Sequence, residues 1–111
     1  MYYSTPVQSS TAIPEISSPR ELPSEFAIRQ NYPNPFNPST NIAFSVPENG
    51  RVALKVFNII GQEVAVLFDG IAEAGKLHQQ TFDASQLPTG LYFSRLEFGG
   101  KSLMRKMLFV K

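Results

Sequence analysis

Cysteine and tryptophan are both missing from this 111-residue chain, and histidine occurs once. Without cysteine there is no disulfide framework and no thiolate metal site, and a lone histidine excludes a two-histidine metal centre. Charge is also sparse: charged residues make up 17% and the formal net charge is +1. No overall field therefore draws the chain toward nucleic acid or an anionic membrane. No apolar run approaches the roughly 20 residues that span a bilayer. Met1-Tyr2-Tyr3-Ser4 has neither the basic leader nor the apolar stretch of a secretory signal, so an exported protein is expected to carry its signal outside this chain.

What is present divides near residue 25. Residues 1–24 hold Pro6, Pro14, Pro19 and Pro23 among eight Ser and Thr residues, too little apolar surface to offset the entropy of ordering. They read as a linker or tail. Residues 25–111 are enough for one small independent core. There the patterning has period two. Ile42, Phe44 and Val46 share one face of a strand, and Val52, Leu54 and Val56 share one face of the next. Asn49-Gly50 between them predicts a hairpin. Gly61 predicts a left-handed turn before a strand from Glu63 to Phe68, closed by Asp69-Gly70. Further strands are expected over 76–82, 91–98 and 102–110, the last two joined by Gly99-Gly100. Asp83 is placed to cap a single turn. About seven strands and no sustained helical period predict an all-β, immunoglobulin-like antiparallel sandwich. Tyr92 follows a Leu-Pro-Thr-Gly corner, where a tyrosine of such sandwiches bonds back to the backbone.

The segment Asn31-Tyr32-Pro33-Asn34-Pro35-Phe36-Asn37-Pro38-Ser39-Thr40 stands apart. Its prolines fix φ and donate no N–H, so it cannot sit inside a central strand. Its asparagines can brace turns. The reading is a stiff, extended strap at a sheet edge, with Tyr32 and Phe36 covering one end of the sandwich.

No catalytic constellation emerges. His78 alternates with Leu77 and Gln79 and reads as a surface residue. Glu48, Glu63, Asp69, Glu73, Asp83 and Glu97 are dispersed over turns and outward strand positions. No helix follows Gly99-Gly100, so it is not a phosphate loop. A domain without enzymatic activity, cofactor or metal is expected. Lys101, Arg105, Lys106 and Lys111 fall in eleven residues without an acid, which suits either a lysine-guarded edge or a partner surface.

Four ordered motifs carry a resemblance: Gln30 to Thr40, Val56-Phe57-Asn58-Ile59-Ile60-Gly61-Gln62-Glu63-Val64, Leu87-Pro88-Thr89-Gly90-Leu91-Tyr92-Phe93, and Lys106-Met107-Leu108-Phe109-Val110-Lys111. Together they resemble the type IX secretion C-terminal sorting domain, type A, with Asn58 where Asp is common and Leu91 in place of a β-branched residue. The resemblance implies a non-catalytic address carried behind an amino-terminal cargo that this chain lacks. It implies passage through the periplasm, reading by an outer-membrane translocon, cleavage by a sortase-like peptidase in or near the linker, and delivery to the cell surface or medium. Gly90, Tyr92, Lys106, Val110 and Lys111 would carry recognition or hold its surface, while Asn31 to Pro38 and Gly61 would be structural. The strap and sandwich are also similar to the immunoglobulin-like part of flagellar hook-capping proteins. An accessory carbohydrate-binding module of a secreted enzyme is a further alternative, although tryptophan, a usual sugar platform, is absent.

Overall fold

Apolar residues at alternate positions give seven strands, and each strand buries one face. They are β1 (Ala27–Ile28), β2 (Ser39–Ser45), β3 (Gly50–Asn58), β4 (Glu63–Ala72), β5 (His78–Asp83), β6 (Gly90–Phe98) and β7 (Lys101–Phe109). They belong to a computed structural model that describes residues 25–111; the linker assigned to residues 1–24 lies outside the described residues. Two antiparallel sheets form, one in the order β1-β2-β5 and one in the order β4-β3-β6-β7. Ile42 and Phe44 of one sheet, Val46 just past its end, and Val52, Leu54, Val56, Leu96 and Met107 of the other sheet are fully buried in a common core. Among the described residues there is no helix, so the expected all-β sandwich is the fold.

The Asn49-Gly50 hairpin does not form. β2 and β3 lie in different sheets, and residues 46–49 carry the chain across the sandwich. Both strands have a fully apolar face, and those faces are best buried against each other. Asn49 instead ties two crossings together, its Oδ1 accepting from the Ala74 N–H at 2.8 Å. Gly50 serves close approach rather than a turn: a Cβ there would stand 2.8 Å from Cε1 of Phe98.

β4 also runs past Asp69-Gly70 to Ala72, because β3 offers partners as far as Gly50. Register shifts at Leu54/Lys55 and Val56/Phe57 give β4 its extra residues, as bulges do. The two-residue β1 was not expected. Ile28, which anchors it, is 4% exposed.

The remaining turns follow their sequences. Gly99 and Gly100 have φ of 58° and 81° and close the β6–β7 hairpin. The Asp83 carboxylate accepts from the Ser85 N–H at 2.8 Å. His78, expected at the surface, pairs with Phe44 on the inner side of β5 and stacks on its ring at 5.1 Å between centroids. Its Nε2 lies 2.9 Å from the Glu73 carbonyl.

Candidate functional site

The strap and the last strand form one structure. The strap runs as a series of bends rather than an extended segment, with cis peptide bonds before Pro33, Pro35 and Pro38. It lies along the outer edge of β7. Gln30 Nε2 donates to the Lys106 carbonyl at 2.7 Å, and the Leu108 N–H donates to Asn34 Oδ1 at 3.0 Å. The Phe36 N–H donates to the Leu108 carbonyl at 3.0 Å, and the Val110 N–H to the Phe36 carbonyl at 3.1 Å. Backbone groups of β7 that a bare edge would leave open are thus satisfied by residues more than 70 positions earlier. The edge from Lys106 to Val110 is covered by chain and does not depend on lysine for protection.

The two strap aromatics have opposite roles. Phe36 is 2% exposed, stacked on Phe109 at 5.2 Å and packed against Phe82 at 5.9 Å. Tyr32 is 80% exposed and covers nothing; it acts through its backbone, which exchanges two hydrogen bonds with Asn41 at 3.0 Å. Beneath the bends, the Pro33 carbonyl accepts from Asn31 Nδ2 at 3.1 Å and from Thr40 Oγ1 at 2.8 Å. Asn31 Nδ2 also donates to Thr40 Oγ1 at 3.0 Å. Asn31 and Thr40 are both buried, and their polar groups meet inside this network, as buried polar groups must. Asn37 and the three strap prolines are exposed.

The Leu87–Tyr92 corner lies on the other side of β7. Gly90 pairs with Phe109, Leu91 with Leu108 and Tyr92 with Met107. The buried Tyr92 hydroxyl donates to the Pro88 carbonyl at 2.6 Å, so the expected corner is present. Burial pushes the Tyr92 phenol above its ordinary pKa of 10.0. The folded state therefore holds this proton more tightly than the unfolded chain. Its contribution is complete below pH 10 and is lost as pH rises through the folded pKa. Tyr92→Phe strands the Pro88 carbonyl and should cost about 1–2 kcal/mol at neutral pH. Thermal melts across pH 7–11 should also show a shallower alkaline decline than the parent. An unchanged melting temperature and an unchanged alkaline slope would reject this role.

The second motif joins the same end of the sheet, through the pairs Phe57–Phe93 and Asn58–Tyr92. Gly61, with φ 86°, turns the chain at the tip, where its N–H donates to the Asn58 carbonyl at 3.0 Å. Four segments scattered through the sequence thus lie side by side at one end of the four-stranded sheet, the second motif reaching β7 only through β6. Arg105, although exposed, is tied to the other sheet: its Nε donates to the Ile28 carbonyl of β1 at 3.1 Å.

Residues 30–111 match the secretion system C-terminal sorting domain family. The chain belongs to that family. No curated protein matches it. As a sorting domain it is a C-terminal secretion signal of the type IX system, part of a secreted protein bound for the cell surface or the extracellular space. Sorting domains act with the type IX machinery on an amino-terminal cargo and are in general non-enzymatic. All four motifs lie within the matched span. Among the described residues, Tyr32 is the one aromatic side chain that is largely exposed, while Phe57 and Phe93 are half-buried.

Proposed function

We propose that the outer-membrane translocon reads this sorting domain in its folded form at the carboxy-terminal half of β7. Lys106, Val110 and Lys111 make the contact, and Gly90 and Tyr92 hold the adjoining corner in shape. Asn31 to Pro38 and Gly61 are structural, fixing the strap and the β3–β4 turn. The cargo crosses the inner membrane on its own signal and the domain folds in the periplasm. A sortase-like peptidase then removes it by a cut in or near residues 1–24, whose proline-spaced sequence suits a protease cleft. The domain is ligand and substrate in this sequence of events and performs no catalysis.

A split among the cations carries this reading. Arg51, Lys55, Lys76 and Arg95 each lie within 4.0 Å of a carboxylate. Among the described residues, Arg29, Lys101, Arg105, Lys106 and Lys111 meet no acid; of these, Lys106 and Lys111 lie in the carboxy-terminal half of β7 or just beyond it, and Lys111 Nζ sits 5.8 Å from the centre of the Phe109 ring. Among the described residues no carboxylate offsets these two charges. The test is the full chain fused behind a signal peptide and a fluorescent reporter, in a host with a type IX system and in its translocon-deleted strain. Lys106→Ala combined with Lys111→Ala should lower translocon-dependent display about tenfold, while stability changes by less than about 0.5 kcal/mol. Display at the parental level would sink the assignment of these lysines.

A further inference from the structure

The two outer faces of the sandwich differ in chemistry. On the three-stranded sheet the outward pairs are Ser39–Asp83, Asn41–Thr81 and Ala43–Gln79, with Thr81 Oγ1 donating to Asn41 Oδ1 at 2.9 Å. That face has the solvated composition expected of an antiparallel sheet. The four-stranded sheet turns outward the row Phe57–Phe93–Lys106, with Met104 and Leu108 on either side of Lys106 along β7. Met104 is 54% exposed, and beyond the row the β3–β4 tip presents Ile59 and Ile60 at 70% and 74%.

This tip is held in place. Asn58 Oδ1 accepts from the Ile60 and Gln62 N–H groups at 3.1 and 2.9 Å, and Asn58 Nδ2 donates to Gln62 Oε1 at 3.0 Å. Between tip and sheet lies a cavity of about 240 Å³ lined by Phe57, Ile59, Phe93 and Met104, with Arg95 stacked over the Phe57 ring at 4.3 Å. Two β-branched side chains fixed on a braced turn lose little entropy when covered. A rigid apolar surface of this kind marks an interaction site.

The geometry points to this face, from the Ile59–Ile60 tip across Phe93 to Lys106, as the docking surface for a protein partner that sets apolar side chains around a carboxylate. The inference rests on the sorting reading above and extends it from the end of β7 across the sheet. Charge decides the occupant. Lys55 and Arg95, nearer the middle of the sheet, are compensated by Glu63 and Glu97, whereas Lys106 has no acid among the described residues. A lysine flanked by Met104 and Leu108 can be covered only by a partner that supplies the opposite charge at that point. A second copy of this chain would bring the same uncompensated lysine to both sides of a two-fold interface. A lipid surface would take the isoleucines but offers no fixed carboxylate to meet Lys106.

The test uses the same full-chain reporter fusion in translocon-competent and translocon-deleted cells. Ile59→Ser with Ile60→Ser and Met104→Gln should cut translocon-dependent display about tenfold or more, and Lys106→Glu should do the same. Lys106→Arg should keep most of it. Melting of each purified chain checks that the fold is intact; Ile60→Ser alone replaces the triple variant if that one is destabilised. A parent displayed equally in both strains would overturn the sorting reading itself. A translocon-dependent parent with an apolar variant displayed at its level would overturn this face and leave the sorting reading standing. Co-sedimentation of the purified chain with phosphatidylglycerol vesicles, lost in the apolar variant, would reassign the face to lipid. A dimer in sedimentation equilibrium, lost in the same variant, would reassign it to a second copy.

Discussion

A chain lacking residues 106–111 is expected to show no cooperative unfolding transition at 25 °C. These six residues hold Met107 and Phe109, both fully buried, and Phe109 lies against Phe36. Emptying a site of either size costs about 2–5 kcal/mol. The truncation also removes the Lys106 and Leu108 carbonyls and the Leu108 and Val110 N–H groups to which the strap is bonded. Each lost partner leaves a polar group to rehydrate or to stay unsatisfied at about 1 kcal/mol or more. Together these losses reach the 5–15 kcal/mol, order of magnitude, by which a small domain is stable at all. Circular dichroism and thermal melting of the purified chain measure the effect. A sigmoidal melt within about 10 °C of the parent would show that the sandwich closes without β7. The consequence for secretion is direct: if the domain is unfolded, failure of a truncated fusion to reach the surface says nothing about which side chains are read. Only substitutions that preserve Met107 and Phe109 can assign recognition.

The sandwich was legible because alternation survives in almost every strand. Val52, Leu54 and Val56 declare an inner face, and Leu96 and Met107 continue it on neighbouring strands. Tyr92 was legible from its corner, a local arrangement in which a short sequence determines the hydrogen bond. The Asn49-Gly50 connection misled because turn chemistry speaks only of four residues. Whether the flanking strands pair or face each other is decided by which apolar faces must meet. β1 was invisible for a different reason: two residues are too few for any period. Its place comes from pairing with Phe44 and Ser45 and from the bond between Ser45 Oγ and the Glu25 carbonyl, at 2.7 Å. His78 was misjudged because β5 alternates polar residues on both sides. The half-buried site beside Phe44 is set by strand register, which a single strand does not encode. For the site, each motif could be found by eye, but their convergence could not. Nothing in Asn34 announces that its side chain will receive an N–H from Leu108.

The strap offers a sharper experiment than the truncation, because its two aromatics are near neighbours with opposite expectations. Phe36→Ala should cost about 3–5 kcal/mol and lower the melting temperature by more than roughly 12 °C. Phe36 stacks on Phe109 and meets Phe82, which in turn packs on Tyr92 at 6.2 Å. Its loss would leave a cavity at the junction of strap, β5, β6 and β7. The backbone around position 36 is pinned to Leu108 and Val110, so it cannot collapse inward to fill that space without breaking those bonds. Tyr32→Ala should change stability by less than about 0.5 kcal/mol, since its ring is in water and only its backbone is bonded. Equal costs at the two positions would mean that the strap stabilises the domain through its backbone alone. A large cost at Tyr32 would mean that its ring is covered in solution. The expected asymmetry instead gives the strap a single anchor. Phe36 seats it in the core, and the bonds to β7 then follow from where that anchor places the chain. The first and last motifs would stand or fall together because one phenylalanine joins them.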